Sequence, residues 1–419
     1  MKHEMTRLSG KVAPYKVIIR NFSYLSALQA FNMLLPFITY PYLIRVLGTG
    51  QYGLVIFAQI IAGYFGILID YGFRITATRE VSVHRDHAQK LSEIVSSVLT
   101  IKLILWLISF AVLLVLVYTV PALQREKLLY IFSFGLCFNE LMFPQWYFQG
   151  MERMKYITLI NLATRTAFLL LIFVFVRGKS DYLLVPLLNG AGAFTGGAAG
   201  LIVLFAKDRI RFTRQTLPTL KYYFTESSPL FGSNAIISVK DRFNVIFIGS
   251  SLGMKEVVIY DLAVKVMNIF IQPVDLINTA IYPKMAKDRN MKFLLKATAL
   301  AFAGMAALVA AMQLFMSPLI AFLGKGLSEA VLPARVLLAA PLIMVWSVAL
   351  GRNCILVHGK YKPFVWGMLF TTLFYLALVA LAAITGHIHS VMAFIVITLM
   401  VYLFELLFRI FIVKKYHLL

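Results

Sequence analysis

Long apolar runs separated by short polar stretches recur along the whole chain. Leu103 to Val120 and Val391 to Val413 are two of them. A helix of about 20 such residues crosses a hydrocarbon layer of roughly 30 Å. Inside that layer a backbone must satisfy its own N–H and C=O groups, and a helix does so within one segment. The pattern predicts helices near 21 to 46, 53 to 77, 91 to 118, 127 to 149, 156 to 176 and 183 to 206. Six more are predicted near 227 to 249, 257 to 283, 294 to 322, 333 to 357, 363 to 384 and 391 to 413. This is an all-α integral membrane protein of about twelve transmembrane helices joined by short loops, without room for a soluble domain. The first apolar stretch is longer than a signal-peptide core, so the basic N-terminus reads as retained.

Composition agrees with the pattern. Hydrophobic residues make up 60% of the 419 positions and charged residues 14%, against roughly 45–50% and about 25% in soluble domains. The net charge of +22 falls in short clusters between apolar runs, which argues against a nucleic-acid face and for a topological role. Lys and Arg concentrate on one set of connections, among them Arg74 to Lys90, Arg153 and Lys155, Lys207 to Lys221, Lys284 to Lys296, and Lys414 with Lys415. The other set carries few, such as Arg125, Lys179 and Lys325. The rich side is the cytoplasmic one, and both termini are expected to face it.

An internal repeat is visible at an offset of about 205 residues. Leu47-Gly48 matches Leu252-Gly253, Gln51 meets Glu256, Ala58 meets Ala263 and Asp70 meets Asp275, with Lys155-Tyr156 falling on Lys360-Tyr361. Two six-helix lobes follow, related by a pseudo-two-fold along the membrane normal with a substrate path between them. The expected organisation is a cytoplasmic basic N-terminus at 1–20, an N-terminal lobe at 21–206, a basic cytoplasmic linker at 207–226, and a C-terminal lobe with a short tail at 227–419.

The segment Pro41-Tyr42-Leu43-Ile44-Arg45-Val46-Leu47-Gly48, the following Gln51-Tyr52-Gly53, and the stretch from Leu252-Gly253 through Glu256 and Tyr260 to Ala263-Val264-Lys265 resemble one known family. Gln149-Gly150 and Tyr282-Pro283 fit it too. These patterns are similar to the Wzx-type O-antigen flippases of the polysaccharide transport family, within the multidrug/oligosaccharidyl-lipid/polysaccharide exporter superfamily. The resemblance implies a helical bundle around a cationic cavity open to one side at a time. It also implies a cargo of undecaprenyl-diphosphate-linked oligosaccharide in a bacterial inner membrane, with membrane lipids and the glycan polymerase machinery as partners.

Charges near helix centres cost roughly 2.5–3.5 kcal/mol each on insertion scales and are functional candidates by default. Asp70 with Arg74, Asp261 with Lys265 and Glu405 with Arg409 are i, i+4 pairs that can neutralise one another along one helix. Lys240, Asp241 and Arg242, with Arg165 and Arg352, lack an obvious partner on their own helix. A diphosphate carries about two negative charges, and each cation at about 4 Å adds on the order of 4 kcal/mol of raw attraction at an effective dielectric near 20. Lys240, Arg242, Arg165 and Arg352 are therefore the expected cargo-binding cations. Neighbouring Asn234, Ser238 and Asn244 are candidates for hydrogen bonds to sugar, with ordinary interhelical bonding as the competing role. Asp275, Asp241, Glu140 and Asp70 are the carboxylates on which ion coupling would fall.

Other features read as structural. Gly192, Gly196 and Gly200 recur every fourth residue, a spacing that lets helices pack closely. Cys137 and Cys354 lie within apolar segments, and His84, His87, His387 and His389 form no spaced ligand set, so neither a metal nor another cofactor is expected. Two other function classes stay in view. A drug or cation antiporter would share the fold but should line its path with acids. A membrane glycan polymerase, hence an enzyme, would need aligned acids and bases reachable by two substrates.

Overall fold

The computed structural model describes the backbone of residues 2–386 and 388–418, and within them all side chains except those of residues 2–19, 22, 237 and 239–241. Among the described residues the chain is α-helical, and nine helical stretches are long and apolar enough to cross a membrane. The first of these, Ser23–Val83, contains both of the first two predicted helices. Its break is at Gly48, whose φ of 75° and ψ of 167° interrupt the helix Lys2–Asp70. A glycine is required there because an L side chain is strained at positive φ. Gly253, the repeat partner of Gly48, has φ of 123° and precedes the helix Met254–Asp288.

Two predicted helices take a different form. The segment 127 to 149 is three short helices, Lys127–Phe134, Cys137–Met142 and Gln145–Gly150. Pro144 lacks an N–H and pushes Phe143 into extended backbone, with ψ of 109°. The segment 227 to 249 lies inside the longer helix Leu217–Ser251. The prolines Pro36, Pro41 and Pro273 do not break their helices. The backbone stays helical through each of them, which costs single hydrogen bonds that surrounding helices can absorb in a membrane protein.

The chain divides into two compact units, one made of Met1–Thr39 with Ala58–Ala235, the other of Tyr40–Phe57 with Ile236–Leu419. The first unit packs around Phe73, Ile94, Val98, Trp146, Tyr147 and Phe148, all buried. Residues before Leu217 are held against it: the backbone N–H groups of Arg211 and Thr213 donate to Ser92 Oγ and Ser96 Oγ at 3.2 and 2.9 Å. Tyr71 stacks between Phe224 and Phe231, at centroid distances of 4.3 and 4.6 Å. In the second unit, Phe57 lies where a side chain on Gly249 would collide with it, 2.4 Å from the ideal Cβ position. Gly53 similarly sits against the Met254 carbonyl. Only glycine permits these two approaches.

Candidate functional site

Each unit contains a cavity among its apolar helices with several polar side chains in its walls. In the first unit, the cavity has a volume of about 370 Å³ and polar walls formed by Asn139, Glu140, Asn161, Thr164, Arg165 and Asn189. Helical spacing explains the arrangement. Asn161, Thr164, Arg165 and Phe168 share one face of Met154–Phe175, and Asn189, Gly192, Ala193 and Gly196 share one face of Leu184–Ile202. Asn139 Nδ2 donates to Glu140 Oε1 at 3.2 Å, and Arg165 donates through Nη1 to Asn32 Oδ1. Although both line this cavity, Arg165 and Glu140 make no ion pair with each other.

Behind this cavity lies Lys102, a lysine only 2% exposed. Its ammonium donates to the Glu140 carbonyl at 3.0 Å and lies 3.4 Å from Asp70 Oδ1. The partner of Asp70 is thus Lys102 and not Arg74. The helix stops at Asp70, and Tyr71 and Gly72 adopt positive φ of 48° and 81°, so Arg74 is no longer one helical turn beyond the carboxylate. The other two expected pairs form as the spacing predicts, Lys265 with Asp261 and Arg409 with Glu405. Sequence did not reveal that Asp261 also accepts from the buried Tyr40 hydroxyl at 2.5 Å, or that the Lys265 ammonium lies 4.7 Å from the Tyr40 ring centroid. Arg409 further donates to the Ser347 carbonyl at 2.6 Å and packs over Gly351.

The second unit's cavity, about 360 Å³, is lined among others by Arg242, Asn244, Tyr260, Asn268, Tyr375 and Tyr402. Asn244 is buried and uses both ends of its carboxamide. Its Nδ2 donates to Tyr260 Oη at 2.7 Å and Thr398 Oγ1 at 3.1 Å, and its Oδ1 accepts from Tyr375 Oη at 2.6 Å. Four helices are thereby joined. Away from this cavity, Arg352 donates to Thr279 Oγ1 at 3.1 Å. Asp275 lies on the same helix as Thr279, and both Asp275 and Arg352 are exposed. Arg352 belongs to a π-helical segment, Ala349–Leu356, a geometry that recurs at functional positions. Asn234 and Ser238 are half-buried in Leu217–Ser251. Lys240 and Asp241 fall on the same helix, with side chains outside the described residues. Among the described residues Arg165, Arg242 and Arg352 make no ion pair with a carboxylate, and no cluster of His, Cys, Asp and Glu could hold a metal.

A family model described as "Polysaccharide biosynthesis protein" matches residues 18–288, well over half of the chain. The chain belongs to that family. Its relatives include a "Putative O-antigen transporter" of Escherichia coli (strain K12), 28% identical over 354 residues, which are 82% of this chain and 85% of the relative. A second protein of that description, from Shigella dysenteriae, is 25% identical over 352 residues, 82% of this chain and 87% of its own. Solved transporters share the fold. The lipid II flippase MurJ in an inward closed conformation superposes with a TM-score of 0.73 at 12% identity, covering 93% of this chain and 87% of that one. An inward-facing multidrug resistance transporter of the MATE family, in the MOP superfamily, gives 0.68 at 14% identity over 92% and 98% of the two chains. This member of the polysaccharide biosynthesis family is accordingly a multi-pass, all-α membrane protein with a transporter's fold.

Proposed function

We propose that this protein flips an undecaprenyl-diphosphate-linked oligosaccharide, an O-antigen or related repeat unit, from the cytoplasmic to the periplasmic leaflet of a bacterial inner membrane by alternating access. The observation that carries the reading is that, among the described residues, Arg165, Arg242 and Arg352 make no salt bridge with a carboxylate, with Asp275 near enough to Arg352 to feel its charge. Arg165, Arg242 and Arg352 lie on membrane-level helices, Arg165 and Arg352 bonded to neutral oxygens, while Asp70, Asp261 and Glu405 are paired with other cations. Cations retained at such depth are costly unless an anion compensates them, and a guanidinium fork suits phosphate oxygens. Lys240 would join them on the helix that carries Arg242. Ion coupling would fall on Asp275, Asp241, Glu140 or Asp70.

The reading includes twelve crossings in two six-helix lobes. Besides the nine apolar stretches, of which the first holds two predicted helices, the segments 127–150 and Leu217–Ser251 supply the remaining two. It is a carrier and not an enzyme, since its relatives are named as transporters. The test neutralises two of the arginines, first singly and then together. Arg242→Gln and Arg165→Gln should accumulate in membranes near the wild-type level, while surface glycan falls at least tenfold and the lipid-linked sugar builds up on the cytoplasmic leaflet. Full export by the double variant would overturn the reading.

A further inference from the structure

The two cavities occupy the same place in the repeat. At the offset of about 205 residues, Thr39, Asn139, Ala193 and Gly196 of the first cavity fall on Asn244, Met344, Thr398 and Val401 of the second. Their polar groups have since diverged. In the second cavity the carboxamide of Asn244 is consumed at both ends by Tyr260, Thr398 and Tyr375, so that group clamps helices together. In the first cavity, alanine and glycine replace Thr398 and Val401 at the equivalent positions 193 and 196. There the Asn161 amide donates only to its own helix, at Ile157 O, 2.8 Å. Neither Asn161 Oδ1 nor the Asn189 carboxamide has a hydrogen-bond partner among the described residues.

The inventory of this cavity selects a ligand chemistry. Arg165 can only donate, an ionised Glu140 can only accept, and three carboxamides do both. A small cation would suit Glu140 and be repelled by Arg165, and an anion the reverse. A sugar hydroxyl can donate to Glu140, and Arg165 has donors enough to serve both that sugar and the diphosphate of the same cargo. Phe168 adds an apolar wall, with ring carbons 3.1 Å from where a Cβ on Gly192 would sit, and Thr164 Oγ1 stands 3.3 Å from the same point on Gly196. The glycines leave that side of the cavity free of side chains. A volume of about 370 Å³ falls within the roughly 300–1,000 Å³ of small-molecule sites.

We propose that the first unit's cavity receives a sugar residue of the cargo, read by Asn161, Asn189 and Asn139 between Arg165 and Glu140; this inference rests on the flippase reading. Binding separates the two. The full chain in lipid nanodiscs would be titrated with bare undecaprenyl diphosphate and with undecaprenyl diphosphate bearing one hexose or one N-acetylhexosamine. Wild type should bind at least one glycosylated lipid about tenfold or more tighter than the bare one, the scale of one or two hydrogen bonds. Asn161→Leu and Asn189→Leu should erase that increment and leave the affinity for bare lipid unchanged, whereas Arg242→Gln should weaken both. Asn189→Ala only enlarges the cavity and serves where the Leu variant fails to accumulate. An increment that survives in these variants overturns the sugar site, as does a wild type that binds bare and glycosylated lipid equally. In either case bare-lipid binding sensitive to Arg242→Gln would leave the flippase reading standing. A wild type that binds none of the lipids would overturn both.

Discussion

Lys102 sits at the balance point of the first unit's buried charge. Its ammonium has the Asp70 carboxylate and the Glu140 carbonyl as partners, so Asp70→Asn would leave a buried cation without its counter-charge. Breaking a buried pair from one side costs about 3–5 kcal/mol. Asp70→Asn should therefore lower the thermal unfolding temperature and the amount of protein in membranes, and adding Lys102→Met should restore much of both. Equal stability of the single and double variants would remove Lys102 from this role. Legibility at this scale follows chain continuity. The pairs of Asp261 with Lys265 and Glu405 with Arg409 could be read from spacing because their helices run unbroken through both residues. The same spacing misled for Asp70 and Arg74, because the turn at Tyr71-Gly72 intervenes. Lys102 is not among the candidates of the sequence reading; it is a lone lysine in an apolar run whose partners are 32 and 38 residues away, a separation no local pattern reports.

Among the helices, close approach is set by residues without side chains. Gly135 and Gly190 face each other, and a Cβ on Gly190 would stand 3.0 Å from the Gly135 Cα, a backbone atom that has little freedom to yield. A Cβ on Gly304, by contrast, would meet nothing within 4 Å. Gly190→Ala should thus destabilise by about 1–3 kcal/mol, the usual cost of overpacking. Gly304→Ala, in the interior of Met291–Gly324, should be neutral or stabilise by up to about 1 kcal/mol through helix propensity. Thermal unfolding of the two purified variants checks both signs, and similar losses in both would count against backbone proximity as the cause. Apolar run length was enough to predict most helices, since lipid forces a spanning backbone to be helical. It could not predict the division of 127–150 into three pieces or the π-helical turns of Ala349–Leu356. Pro144 marks one of these breaks locally, whereas the approaches of Gly135 to Gly190 and Arg409 to Gly351 beside the others join residues far apart in sequence.

For the whole molecule, the distribution of Lys and Arg predicts orientation, and the structure adds how those charges are held. On the first unit the basic connections are interlocked with acids: Arg85 with Glu152 at 2.8 Å, Lys90 with Glu93 at 2.7 Å, Arg79 with Glu226 and Arg153 with Asp208. Acidic residues do little to offset the retention of Lys and Arg on the cytoplasmic side, so these pairs should not weaken the topological signal. On the second unit, the segments around Lys284 to Lys296, Lys360 and Lys414 surround one apolar cluster that includes Met285, Leu294, Cys354, Ile355, Ile412 and Val413, which puts three basic connections at one end of that unit. Reporter fusions after Lys90, Lys221 and Lys292 should accordingly be cytoplasmic, and fusions near Glu126, Lys179 and Glu329 exterior. The fusion at Lys221 decides most, because it follows the sixth predicted crossing and lies in the stretch tied to the first unit through Ser92, Ser96 and Glu226. If Lys90 reports cytoplasmic and Lys221 exterior, an odd number of crossings separates them. The three short helices between Lys127 and Gly150 would then be the segment that fails to span, and the twelve-crossing reading would fall.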